Sequence, residues 1–182
     1  MKKLLLILLC LPMIGFGQQT YVPDSTFEDY LEANGMGNGV PNDDYVSTAS
    51  IDTVTYLDVS YDSIADLTGI ENFTALTNLY CSSNQLTYLD VSANLALTYL
   101  RCDGNNLTSL DVSANLALNY LYCDYNQLTS LDVSANLALT NLYCGYNQLT
   151  YLDVSSNLAL TTLWCGYNQL TSLDVSANLA LT

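Results

Sequence analysis

From Leu86 to Gln169 apolar and polar letters recur on a strict 21-residue period, in four nearly unchanged copies (86–106, 107–127, 128–148 and 149–169). A fifth copy, LTSLDVSANLALT, runs into the last residue, Thr182. Each copy splits into two half-units, such as LTSLDVSAN and LALNYLYCDYN, and both follow L-x-x-L-x-(V or C)-x-x-N. In each half the second and third apolar residues flank one other residue, the alternation of a short strand with one buried face. Leu121 and Cys123 are therefore expected to point inward with Tyr122 outward, and Leu110 and Val112 inward with Asp111 outward. A coil of this kind cannot bury its apolar side alone, and stacking on its neighbours does so, which predicts a solenoid. The expected architecture is mainly β, with two short parallel strands per coil and two parallel sheets whose successive strands lie about 4.8 Å apart.

The asparagines mark the turns. Asn84, Asn105, Asn126, Asn147 and Asn168 follow the Cys strand at a fixed offset, and Asn94, Asn115, Asn136, Asn157 and Asn178 follow the Asp strand at the same offset. A buried Asn satisfies backbone groups of its own turn and of the next coil, which otherwise go unpaired. Upstream, Val54, Leu57 and Val59 match Leu76, Leu79 and Cys81 at a spacing of 22, with Asp62 in the Asn84 place. The intervening IADLTGIENFTAL (64–76) lacks the LDVS strand and predicts a turn or short helix on the back of its coil. Before it, Ser25 and Glu28 form a capping box for a short helix with Phe27, Tyr30 and Leu31 on one face, ended by Gly35. Residues 18–50 are expected to cap the first open coil.

The first residues carry a different signal. Lys2 and Lys3 precede an apolar run from Leu4 to Ile14, and Gly15-Phe16-Gly17 supplies small residues before a cut ahead of Gln18. This predicts a secretory signal peptide over residues 1–17, and hence a secreted or cell-surface protein. The run is too short to span a bilayer, and no later stretch is long and apolar enough. Cys10 would suit a lipid anchor, but Leu9 stands before it where such signals need a small residue. Loss of Lys2 and Lys3 leaves 18 acidic residues against Arg101 alone, a net charge of −17 instead of −15, and there is no His. Such a chain has nothing with which to neutralise phosphates, which argues against nucleic acid and anionic membrane as partners.

The nine-residue motif is the leucine-rich-repeat consensus with Cys or Val at its third apolar place. Through IADLTGIENFTALTNLYCSSNQL (64–86) and the L-x-x-L-x-C-x-x-N runs after it, the chain resembles secreted internalin-like leucine-rich-repeat proteins of bacteria. The opening YVPDSTFEDYLEANG (21–35), together with the repeated LDVS-x-N, is similar to surface proteins of Bacteroidetes-type bacteria. The resemblance covers nearly all of the chain after the targeting segment. It implies a leucine-rich-repeat solenoid over 51–182 behind a small helical N-terminal cap, and a surface or secreted binding protein. Such proteins are often longer, with a C-terminal sorting domain. Because this chain stops inside a repeat, a longer stack is expected.

Three rows of side chains are candidates for chemistry. Cys81, Cys102, Cys123, Cys144 and Cys165 recur every 21 residues in a buried Leu place. Their odd number and parallel Cβ directions favour free thiols over bridges, and a line of thiols lacks the convergence a zinc site needs. On the same strands, the outward places beside them are Tyr80, Arg101, Tyr122, Tyr143 and Trp164, and the next outward row holds Tyr99 and Tyr120, with Tyr125, Tyr146 and Tyr167 in the adjoining turns. Tyr, Trp and Arg are the residues of binding surfaces, and this row varies between copies whose core letters hardly change. Cross-strand packing of exposed aromatics is the bland alternative. On the opposite side Asp90, Asp111, Asp132, Asp153 and Asp174 form a ladder of like charges. Water, hydrogen bonds from Ser and Thr, a raised pKa or bound calcium would offset their repulsion.

With no His, no cofactor motif and equivalent carboxylates, the sequence argues against an enzyme. It predicts a module that binds a protein partner through the aromatic strand face. The alternatives are a carbohydrate-binding module, with Tyr and Trp stacked on sugar rings, and a structural spacer of an adhesin stiffened by calcium.

Overall fold

The computed structural model describes residues 17–182, so the expected targeting segment, apart from Gly17, lies outside the described residues. Eight short strands are present among the described residues. β1 (Gln19–Tyr21) pairs antiparallel with β2 (Tyr45–Ser47), and α1 (Ser25–Ala33) and α2 (Thr48–Ile51) accompany this hairpin at the N-terminal end. The other six form one parallel sheet in chain order: β3 (Tyr56–Asp58), β4 (Asn78–Tyr80), β5 (Tyr99–Arg101), β6 (Tyr120–Tyr122), β7 (Asn141–Tyr143) and β8 (Thr162–Trp164). The register is uniform, with Leu57, Leu79, Leu100, Leu121, Leu142 and Leu163 in line. This is the leucine-rich-repeat solenoid, with a coil for each strand of the sheet.

The core is built as the repeat dictates. From Leu57 to Leu160 the consensus Leu and Val of each half-unit are buried from coil to coil, with Cys81, Cys102, Cys123 and Cys144 fully buried beside them, whereas Leu173 and Val175 of the last coil are 37% and 38% exposed. The asparagines close the turns. Asn126 donates from Nδ2 to the carbonyls of Cys102 (3.0 Å) and Cys123 (3.2 Å), and its Oδ1 accepts the Leu107 N–H at 3.0 Å. Asn84, Asn105, Asn147 and Asn168 make the same bonds in their coils. On the other side Asn115 donates to Val91 and Asn94, both at 3.0 Å, while its Oδ1 finds no donor among the described residues.

The expected second sheet does not form. The Asp side shows a single isolated parallel bridge, Asp90 to Asp111. The reason is local competition for the backbone: Asp90 Oδ1 accepts the Ser92 N–H at 2.9 Å, and the chain turns at once, with the Asn94 N–H bonded to the Val91 carbonyl. The same turn recurs at Asp111, Asp132, Asp153 and Asp174. A side chain that captures the N–H two residues on removes it from any ladder.

The helix cap also differs from expectation. Asp24, not Ser25, caps α1, accepting from the Thr26 and Phe27 N–H groups at 3.0 and 3.1 Å. Its second oxygen accepts from Ala65 and Asp66, which ties the helix to the next coil. Glu28 is buried and reaches the Asp43 and Asp44 N–H groups instead of turning back on its own helix. Gly35, with φ 73°, follows the C-cap Asn34 as the sequence suggests. Phe27 stacks on Phe73 at 6.4 Å, so the helical end and the coils share one core. The segment 64–76 does carry a turn of 3-10 helix on the back of its coil, Ile70–Asn72.

Candidate functional site

The six-stranded sheet has one face turned away from the core, and the aromatic residues gather there. Parallel pairing in register places Asp58, Tyr80, Arg101, Tyr122, Tyr143 and Trp164 in one row, and Tyr56, Asn78, Tyr99, Tyr120, Asn141 and Thr162 in the next. Strand spacing forces contact between such neighbours. Tyr56 meets Tyr80 at 5.2 Å, Tyr80 meets Tyr99 at 4.8 Å, and Tyr99 meets Tyr122 at 5.6 Å. Tyr122 and Tyr143 stack at 4.4 Å, within 7° of parallel. Burial and the neighbouring Tyr122 push the Tyr99 phenol well above its usual range, so it stays protonated.

A second stack stands in the turns beyond the strands. Tyr125, Tyr146 and Tyr167 are spaced 4.3 and 4.1 Å apart, and Trp164 from the sheet row lies 5.5 Å from Tyr146. All three tyrosines hold positive φ, between 48° and 56°, at the place occupied by Tyr61, Ser83 and Gly104 in earlier coils. A bulky residue in this conformation costs about 1–2 kcal/mol. The neighbouring Tyr167 phenol, then burial, push the Tyr146 phenol up to about 12. Gly145 makes room for this arrangement, since a Cβ there would stand 2.6 Å from the Trp164 ring.

Arg101 is the only basic residue among the described residues. Its Nε donates to Asp103 Oδ1 at 2.9 Å, and its guanidinium lies over the Tyr122 ring at 5.7 Å. Ser82 donates to the same Asp103 oxygen at 2.6 Å. Asp124 stands one coil further on. Burial and the Asp103 charge raise its carboxyl to about 6, against a smaller opposing pull from Arg101.

The Asp row on the other side is exposed and self-contained. Hydrogen bonds from Ser92, Ser113, Ser134, Ser155 and Ser176 lower the pKa of Asp90, Asp111, Asp132, Asp153 and Asp174 respectively. Of the offsets weighed from sequence, serine hydrogen bonding is therefore present, and the pKa moves down instead of up. Among the described residues no group of three or more His, Cys, Asp or Glu converges as a metal site would require. Cys81, Cys102, Cys123, Cys144 and Cys165 are free thiols, and burial raises the pKa of each.

Two features escaped the sequence reading. Leu95, Leu116, Leu137 and Leu158 stand 63–65% exposed as a stripe on the turn after the Asp side. Each precedes the consensus of its half-unit, so periodicity alone could have set it apart. The other is a basin of about 610 Å³ at the N-terminal end of the aromatic face, lined in part by Tyr30, Tyr56, Tyr61 and Tyr80. The altered length of the first coils hides it from the 21-residue frame.

No protein-family model matches the chain. A stretch of 51 residues, 28% of the chain, is 51% identical to internalin J of Listeria monocytogenes serotype 4b (strain F2365), and covers 6% of that protein. Among solved structures, the functional domain of InlJ from Listeria monocytogenes, which includes a cysteine ladder, matches with a TM-score of 0.82 and 45% identity. That match covers 91% of this chain and 37% of the other. The internalin InlF from strain F2365 matches with a TM-score of 0.73 and 27% identity, over 88% of this chain and 48% of the other. A leucine-rich-repeat protein of Leptospira interrogans shares the fold, with a TM-score of 0.69 at 24% identity, over 74% of this chain and 37% of the other. The chain thus spans less than half the length of each of these proteins. It is a leucine-rich-repeat β-solenoid, and internalin-like leucine-rich-repeat proteins are its homologues.

Proposed function

We propose that this chain is an exported binding module, secreted or held at the cell surface, that engages a protein partner through the aromatic face of its parallel sheet. The observation that carries this is the contrast between rows. The inward letters repeat unchanged from coil to coil, whereas the outward row reads Tyr80, Arg101, Tyr122, Tyr143, Trp164. Uniform coils need no such variety for stability. Large aromatics and an arginine on a rigid sheet are what a protein interface concentrates.

A protein partner is favoured over a glycan by how the rings are used. Tyr122 and Tyr143 cover each other face to face, as do Tyr146 and Tyr167. A sugar ring would need an open aromatic face, and these stacks offer edges and hydroxyl groups. A catalytic role is disfavoured because the Asp carboxylates share one environment, and acid–base chemistry needs two that differ.

The test is a display screen of candidate surface proteins together with a glycan array, run on the wild type and on a Tyr122→Ala, Tyr143→Ala, Trp164→Ala variant. A protein ligand lost in the variant at unchanged melting temperature supports the proposal. Binding to glycans alone, or a ligand retained by the variant, overturns it.

A further inference from the structure

The N-terminal end of the sheet face carries a site of its own. Where α1 meets the first coils, Tyr30, Tyr56, Tyr61 and Tyr80 surround the basin of about 610 Å³, and Asp58 and Asp62 stand among them. The rings come from four separate places: the helix, β3, the turn after it and β4. Tyr61 is 75% exposed and holds φ at 66°, a conformation that presents its ring to solvent and that a glycine would take more easily. Its N–H is fixed by the Ser82 carbonyl at 3.0 Å, so the backbone that carries the ring is held by the neighbouring coil. Tyr56 is tilted at 43° to Tyr80 and is 56% exposed, which leaves its ring surface open, whereas Tyr80 also stacks on Tyr99 at 4.8 Å.

The charge in the basin is negative. Asp58 has one oxygen on the Ser60 N–H at 3.1 Å, and among the described residues no basic side chain lies within ion-pair distance of Asp58 or Asp62. Arg101 also lines the basin, but it is paired with Asp103 and lies over Tyr122. Burial, then the charges of Asp58 and Asp62, raise the pKa of the Tyr30 phenol, which places that ring in the field of both carboxylates.

Aromatic walls beside unpaired carboxylates suit one class of guest. An ammonium or guanidinium group gains from the ring faces and from the charge together. We infer that this basin receives a basic side chain, lysine or arginine, of the protein partner, and so anchors one end of the interface on the aromatic face. The inference rests on the proposed protein-binding role of that face and names the chemistry its partner must bring.

The experiment is a titration of the chain from Gln18 onward, followed by the chemical shifts of its tyrosine ring protons. The probes are N-acetyl-lysinamide, N-acetyl-argininamide and the uncharged isostere N-acetyl-norleucinamide. The lysine or arginine amide gives saturable shifts and the norleucine amide gives none. An Asp58→Asn, Asp62→Asn variant, which retains an oxygen for the Ser60 N–H, binds the cation about fivefold more weakly or worse. Tyr61→Gly, which removes a ring and relaxes the backbone, also weakens it, whereas Tyr143→Ala does not. Absence of a saturable shift with either cation, equal shifts with the norleucine amide, or full retention in the Asp58→Asn, Asp62→Asn variant overturns the inference. Failure of the wider proposal looks different: cation shifts persist while no protein partner responds to Tyr122, Tyr143 and Trp164.

Discussion

The Nδ2 of Asn126 donates to the carbonyl of Cys102 in the preceding coil at 3.0 Å, and this contact repeats down the Cys side of the solenoid. It joins the turn of one coil to the strand end of another, at a place where both residues are buried. Asn126→Ala is expected to cost about 1–3 kcal/mol for the partners left unpaired. The Asp-side Asn115→Ala is expected to cost less, because Asn115 uses only its Nδ2 and already carries an unpaired Oδ1. Urea denaturation of the two variants checks the order, and equal midpoints would contradict it.

Tyr146 is held between two rings at positive φ. Replacement by Ala removes both stacks and keeps the backbone strain, whereas Gly removes the stacks and relieves it. Tyr146→Gly is therefore expected to be more stable than Tyr146→Ala by about 1 kcal/mol. Thermal melts of the pair decide this, and a more stable Ala variant would show that the backbone is not strained there.

Asp124 gives the sheet face a pH dependence. Its carboxyl titrates near 6 in the folded chain, above the usual carboxylate value. Between about pH 4 and 6 the folded state therefore holds more protons than the unfolded one, and this group's contribution to stability falls as pH rises through that window. Asp124 is half exposed, so the effect is small. Asp124→Asn is expected to raise the melting temperature at pH 7 and leave it unchanged at pH 4. The Asp row acts in the opposite sense: its lowered pKa values add stability above about pH 4 that is lost in stronger acid. Calorimetry of both forms across pH 3–8 separates the two.

The cysteines are expected to report the packing of the coils. Cys81, Cys102, Cys123 and Cys144 are sealed in the core, while Cys165 is half-buried. A disulfide-exchange reagent added to the native chain from Gln18 should modify Cys165 first, and denaturation should release the other four. Fewer than five thiols in the unreduced, unfolded protein would refute the free-thiol column.

Periodicity carried most of the fold into view, because each inward letter has only one place to go in a stacked coil. Leu121, Cys123, Leu110 and Val112 all point inward as their alternation requires. It misjudged the Asp side, where alternation around Asp111 suits a strand but the side chain of Asp111 captures the Ser113 N–H and turns the chain instead. The Asp24 cap was missed because Ser25 and Glu28 satisfy the sequence rule, and only the fold shows Glu28 drawn away to Asp43 and Asp44. The aromatic row was legible from its spacing. Its ring-to-ring stacking, and the union of Tyr30 with Tyr56, Tyr61 and Tyr80, depend on the packing of the N-terminal helix and on coils of unequal length, which a repeat frame does not encode.

The central claim is that function lies on the aromatic sheet face and not on the Asp side of the same coils. Two variants matched in coil position test it most directly against one protein ligand: Tyr122→Ala with Tyr143→Ala, and Asp111→Ala with Asp132→Ala. Affinity should fall at least about tenfold in the first pair, in line with the loss of two interface aromatics, and stay at the wild-type value in the second. Affinity unchanged in the tyrosine pair and lost in the aspartate pair would contradict the account.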